Sequence, residues 1–128
     1  MGYCMRQQEI KFFIPSDEKG AALKRVKEKL QSGNYRWMND SDWANAKTLE
    51  EMLEEWRWDA KVDEDGNIIG LTFEGEKAGD DLRFFGALAK HVKDGSFIHM
   101  LGEDGHQWKW VFEGGEVNEV AAKITFEK

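Results

Sequence analysis

Ser96-Phe97-Ile98-His99-Met100-Leu101-Gly102-Glu103-Asp104-Gly105-His106-Gln107-Trp108-Lys109-Trp110-Val111-Phe112 is the stretch whose reading decides the fold. Two β-rich runs flank Asp104-Gly105, a pair suited to a type I′ turn because Gly accepts positive φ and Asp tolerates it. With Asp104 and Gly105 at the turn, Glu103 faces His106, Leu101 faces Trp108, His99 faces Trp110 and Phe97 faces Phe112. Alternation then gathers Phe97, His99, Leu101, Trp108, Trp110 and Phe112 on one face, which helices must cover. The other face holds Ile98, Met100 and Val111. Exposed together, these would form a homodimer or partner interface.

A second hairpin precedes it. Asp65-Gly66 pairs Val62 with Ile69, Ala60 with Leu71 and Trp58 with Phe73, all apolar, while the opposite face is mostly polar. This predicts a sheet with helices on one side only. After Phe112, Gly114-Gly115 turns the chain into a last strand. Strict pairing would turn Val120 outward, so an inserted residue, a β-bulge, is expected to return Val120, Ala122, Ile124 and Phe126 to the core. A first strand over residues 9–14 ends at Pro15, which has no N–H for a ladder.

Three helical stripes complete the pattern. Ser16 caps the first, with Ala22, Leu23, Val26 and Leu30 inward. Thr48 and Glu51 form a capping box for the second, which buries Leu49, Met52, Leu53 and Trp56. Asp80 or Asp81 caps the third, which presents Leu82, Phe85, Leu88, Ala89 and Val92 and stops at Gly95. The expected fold class is α+β: two layers, an antiparallel sheet of five to seven strands, and about three helices mainly on one face, in a single domain over 1–128.

Composition narrows the function classes. With 18 basic and 25 acidic residues the formal charge is −7, a field that repels phosphate backbones, and direct nucleic-acid binding is not expected. Solubility alone explains such an acidic balance; an acidic surface that imitates DNA is a third functional reading. No apolar run has the length of a membrane span and residues 1–8 lack the apolar core of a signal peptide, so a cytoplasmic protein is expected. The one cysteine, Cys4, suits a reducing compartment.

Several side chains invite a chemical role. On the inferred register His99 lies on the apolar face opposite Trp110, where desolvation favours neutral imidazole, a base or a pH-sensitive group. A histidine hydrogen-bonded within the core is the plainer account. Glu103 and His106 sit near the same turn, so His99, Trp110, Glu103 and His106 are the ligand-binding candidates of a helix-covered pocket. Their arrangement does not make a metal site. Asp80-Asp81 is read as helix capping and residues 63–67 as a hairpin turn rather than a calcium loop. Neither a phosphate-binding loop nor a nucleophile elbow is present; no catalytic residue, metal or cofactor is assigned. Tyr35, Arg36, Trp37 and Trp43 stand in a polar, irregular segment that needs no aromatic stripe. They are candidates for a protein-partner contact or cover for a core edge.

The opening Met1-Gly2-Tyr3-Cys4-Met5 with Lys11-Phe12-Phe13-Ile14, the loop Gly75-Glu76-Lys77-x-Gly79-Asp80-Asp81, and Gly102-Glu103-Asp104-Gly105-x-x-Trp108-x-Trp110-x-Phe112 together resemble a group of small uncharacterised proteins of bacterial and phage genomes. The resemblance implies an accessory or mobile-element context and transfers no catalytic residue. The expected function is a small non-enzymatic protein that engages a protein partner, as an inhibitor or anti-defence accessory. A small-ligand protein or enzyme with a pocket around His99 and Trp110 is the alternative.

Overall fold

A computed structural model describes residues 4–31, 46–75 and 81–121, with backbone only at 30 and 31. In chain order they form β1 (Met5–Lys11), a 3₁₀ turn (Ser16–Glu18), α1 (Lys19–Gln31), α2 (Leu49–Glu55), β2 (Trp58–Val62), β3 (Ile68–Phe73), α3 (Asp81–Leu88), a second 3₁₀ turn (Ala89–His91), β4 (Phe97–Gly102), β5 (Gln107–Glu113) and β6 (Glu116–Ala121). The fold is α+β. One antiparallel sheet has the order β1-β4-β5-β6 and a second consists of β2 and β3.

The two sheets meet along β1. Ile14, just past that strand, exchanges two 2.9 Å backbone hydrogen bonds with Ile68 at the start of β3. At the far end of β3 the Phe73 N–H donates to the Gln7 side-chain oxygen. A side chain thus supplies the acceptor that a neighbouring backbone would have supplied, and the ladder opens without leaving a donor orphaned.

The helices cover one face of this surface, and the core between is aromatic. Phe12, Phe84, Phe85, Phe112, Trp56 and Trp58 are each exposed by 1% or less. Trp56 stacks on Phe84 at 4.6 Å, while Phe85 lies 5.6 Å from Trp110 and 5.9 Å from Phe112. Edge and offset contacts of this kind add to area burial.

Each helix is positioned by local chemistry. The Thr48 hydroxyl accepts from Glu51 N at 3.1 Å, as the capping box requires, but the Glu51 carboxylate reaches back to Lys47 N at 3.2 Å, one residue early. The N-cap of the 3₁₀ turn is Pro15 rather than Ser16, whose N–H donates to Asn67 Oδ1 at 2.8 Å. In α3 the buried face is Phe84, Phe85, Ala87 and Leu88, whereas Leu82 is 38% exposed. Of the expected stripe, Phe85, Leu88, Ala89 and Val92 are buried and only Leu82 turns out, while contacts with both α1 and β6 widen the buried face to Phe84 and Ala87.

The decisive hairpin forms where expected with its register displaced by one residue. Ile98 faces Trp110, Met100 faces Trp108 and His99 faces Lys109. The turn explains it. Gly105 N donates to Gly102 O at 3.0 Å, Gly102 N to His106 O at 2.8 Å, and Gly105 has φ +85°. Glu103 and Asp104 are therefore the centre of the turn and Gly105 is the left-handed residue after it, the three-residue loop with a bulge. A one-residue slip reverses every side chain. Ile98 and Met100 are fully buried, and Phe97, His99 and Leu101 turn outward, half-exposed.

The β2–β3 turn has the same geometry, with Gly66 N to Asp63 O at 3.1 Å, Asp63 N to Asn67 O at 3.0 Å and Gly66 at φ +84°. Here a bulge between Lys61 and Val62 absorbs the slip, so Ala60 still faces Leu71 and Trp58 still faces Phe73. Only the tip is reversed: Ile68 is buried, while Val62 and Ile69 are each 40% exposed. In the β5–β6 hairpin Gly114 and Gly115, at φ +61° and +79°, make a two-residue turn of the primed kind. Pairing runs strictly from Glu113–Glu116 to Trp108–Ala121. The expected bulge is absent from these residues, so Val120 faces outward at 52% exposure; Ala122, Ile124 and Phe126 lie outside the described residues.

The Asp63 turn carries a pH dependence. Its carboxylate accepts from Asn67 Nδ2 at 3.0 Å, Asn67 N at 3.0 Å and Asp65 N at 2.9 Å. The Asn67 side-chain amide foremost holds the carboxyl below its ordinary value of 3.8, opposed in part by desolvation and aided by the individually weaker backbone donors. A depressed folded-state pKa stabilises the fold above the unfolded value and is lost as pH falls through the folded one. Urea midpoints of the wild type should therefore drop between about pH 5 and pH 2 by more than those of Asp63→Asn. Equal acid sensitivity in both proteins would remove this account of the turn.

Candidate binding surface

The register determines where the candidate side chains go. His99 lies on the outer face of the four-stranded sheet, its Nε2 2.9 Å from Gln107 Oε1. Trp110 lies on the inner face, 4% exposed, and donates through Nε1 to Glu119 Oε1 at 2.9 Å. The pairing of His99 with Trp110 is thus corrected, and the two side chains leave the sheet on opposite faces. Glu103 is an exposed turn residue whose N–H donates to Cys4 O at 2.9 Å and whose Oε1 accepts from Cys4 N at 3.3 Å, tying the turn to the start of β1. The exposed His106 ring stacks on Trp108 with centroids 5.6 Å apart. The four candidates are dispersed over two faces and a turn. Tyr35, Arg36, Trp37 and Trp43 lie outside the described residues.

The homodimer patch is corrected by the same slip. Ile98 and Met100 are fully buried and available to no second copy; of that trio only Val111 remains on the outer face. In exchange, the slip creates a different outer surface that the sequence pattern had placed inside.

This surface is a row of partly exposed apolar side chains in a cationic frame. Phe97 and Val111 are cross-strand partners, with Lys11 opposite Phe97 on the other side. Two rows along, Leu101 lies between Arg6 and Gln107. His99 is flanked by Glu9 and Lys109, and Val120 pairs with Lys109. The Lys109 ammonium sits 4.6 Å from the Phe97 ring centroid, a cation–π contact that fixes its stem across the apolar row. Arg6, Lys11 and Lys109 thus surround Phe97, Leu101 and Val111 with one carboxylate, Glu9, among them. Glu113 and Glu116 stand farther off, at the β5–β6 turn.

Such a surface can bury apolar area while its rim selects for negative charge. It is a local exception on a chain of charge −7. Among the described residues no three His, Cys, Asp or Glu side chains gather as a metal site, and no helix is long and apolar enough to cross a membrane. The buried Asp81 carboxyl is engaged by the Trp58 indole N–H at 3.1 Å, in the core.

Comparison with known proteins leaves the surface to be read on its own terms. No protein family, curated protein or solved structure matches the chain.

Proposed function

We propose that this chain is a small, non-enzymatic binding protein that engages a protein partner through the outer face of β1, β4 and β5. The observation that carries the reading is the row Phe97, Leu101 and Val111, held half-exposed on a face that none of the described helices covers. The partner surface that fits is apolar at its centre and acidic at its rim, complementary to Arg6, Lys11 and Lys109. An inhibitor or anti-defence accessory of a phage or mobile element is the setting that the sequence resemblance suggests for such a domain.

The test compares wild type with Leu101→Glu and Val111→Glu, both outward on the sheet and expected to leave the fold intact by circular dichroism. Tagged proteins are used to recover partners from bacterial lysate, and each recovered partner is then purified and titrated directly. A partner bound by wild type and weakened at least about tenfold by either substitution supports the reading. A partner whose affinity ignores both substitutions, or no partner at all, overturns it.

A further inference from the structure

On the opposite, helical side of the molecule an open cleft of about 310 Å³ separates α1 from the second 3₁₀ turn. Its walls are Ala21, Lys24, Arg25 and Glu28 from α1, and Lys90 and His91 from the turn. The first four recur at three- and four-residue spacing, so they form one stripe of the helix, beside the buried stripe of Ala22 and Val26. One guanidinium, two lysine amines and an imidazole meet there, against a single lining carboxylate, Glu28.

Two observations separate this cleft from an ordinary solvated helix face. First, none of Lys24, Arg25 and Lys90 takes part in an ion pair among the described residues, in contrast to neighbouring Lys19 with Glu50 and His91 with Glu18. Second, Arg25 Nε is buried and has no hydrogen-bond partner. A buried donor of a charged group left without an acceptor costs free energy that folding does not recover. His91 is better supported: its side chain is 12% exposed and Nδ1 lies 2.8 Å from Glu18 Oε2, which fixes the ring at the edge of the cleft.

We infer that this cleft binds a compact multivalent anion of the phosphate class, with Arg25 supplying the directional contact and Lys24 and Lys90 the flanking charge. A guanidinium matches phosphate oxygens in geometry, and lysines add strength as point charges. The long acidic field of the rest of the chain disfavours an extended polyanion, so the ligand is a small phosphate or phosphate ester rather than a nucleic acid. This site goes beyond the protein-binding reading and does not depend on it.

The test is a ¹⁵N-resolved NMR titration with inorganic phosphate, pyrophosphate and AMP, each at 50 mM and at 200 mM sodium chloride. The expected result is saturable shifts centred on residues 21–28 and 90–91. Arg25→Met should weaken binding by about tenfold, the loss of one charge-assisted hydrogen bond; the exposed Lys90→Met should weaken it less, and Glu28→Gln should tighten it. Tightest binding of AMP would assign the site to phosphate esters, and tightest binding of phosphate or pyrophosphate to the free anions. Circular dichroism guards against a folding defect in Arg25→Met, and Lys90→Met gives an independent reading because its side chain is outside the core. Shifts spread evenly over surface lysines, binding indifferent to both substitutions, or no saturation with any of the three anions would overturn the assignment.

Discussion

Ile98→Ala lowers the free energy of unfolding by about 3 kcal/mol, whereas Leu101→Ala lowers it by about 1 kcal/mol or less. The two residues are neighbours on β4, both aliphatic, and differ in which way they face. Ile98 is fully buried opposite Trp110, so truncation removes transfer free energy and leaves a cavity walled by rigid aromatic rings. Leu101 is half-exposed beside Arg6 and Gln107, where water already reaches it. Urea denaturation of the two variants reads this directly. The register inferred from Asp104-Gly105 as a two-residue turn demands the reverse ranking, so a larger loss at Leu101 would show that the strand faces the other way.

Asp81→Ala destabilises the fold by about 2–3 kcal/mol, and Asp81→Asn restores most of the loss. Asp81 is 3% exposed at the first residue of α3, and its Oδ1 accepts the Trp58 indole N–H at 3.1 Å. Trp58 is itself fully buried between Phe73 at 4.8 Å and Phe85 at 5.2 Å, so no water can take over as acceptor. Alanine leaves the indole N–H unsatisfied, while the amide oxygen of asparagine can still receive it. A double-mutant cycle with Trp58→Phe isolates the pair: the combined loss should fall short of the sum by at least about 1 kcal/mol. Strict additivity would mean that the contact contributes nothing to holding α3 on β2.

Much of this architecture is legible in the sequence, and the displacement of β4 has a single cause. Hairpin positions follow from Gly66, Gly105 and the pair Gly114-Gly115, because positive φ falls on all of them. The difficulty is that Asp-Gly serves two turns. In one, both residues are the centre of the loop; in the other, Gly is the residue after the centre, and pairing shifts by one. At Asp65-Gly66 the bulge at Val62 cancels the shift and leaves Trp58, Ala60 and Leu71 where alternation puts them. At Asp104-Gly105 nothing cancels it, so Ile98 and Met100 exchange places with Phe97, His99 and Leu101. Apolarity could not arbitrate, since both faces of β4 are apolar.

The candidate site was lost through that same shift. His99 attracted notice as a desolvated imidazole opposite Trp110, and it is instead a half-exposed residue bonded to Gln107. The outer surface of Phe97, Leu101 and Val111 becomes visible only once the register is known, though Lys11 and Lys109 on alternate outward positions were a signal. The anion cleft was hidden for another reason: Lys24, Arg25 and Glu28 read as the solvated side of α1, and nothing local to them announces that Lys90 and His91 will be brought opposite.

The position of β1 between β3 and β4 has a consequence for biosynthesis. Its ladder partner is far along the chain; the contact of Cys4 with Glu103 spans 99 residues. During translation Met5 and Ile10 leave the ribosome well before β4, the strand they pair with, whereas Ile14 can meet Ile68 of β3 sooner. At about 5–20 residues per second, β1 therefore waits several seconds or more for its ladder partner. Closure is late and rests on contacts with high loop entropy, which makes folding slow for a domain of this size.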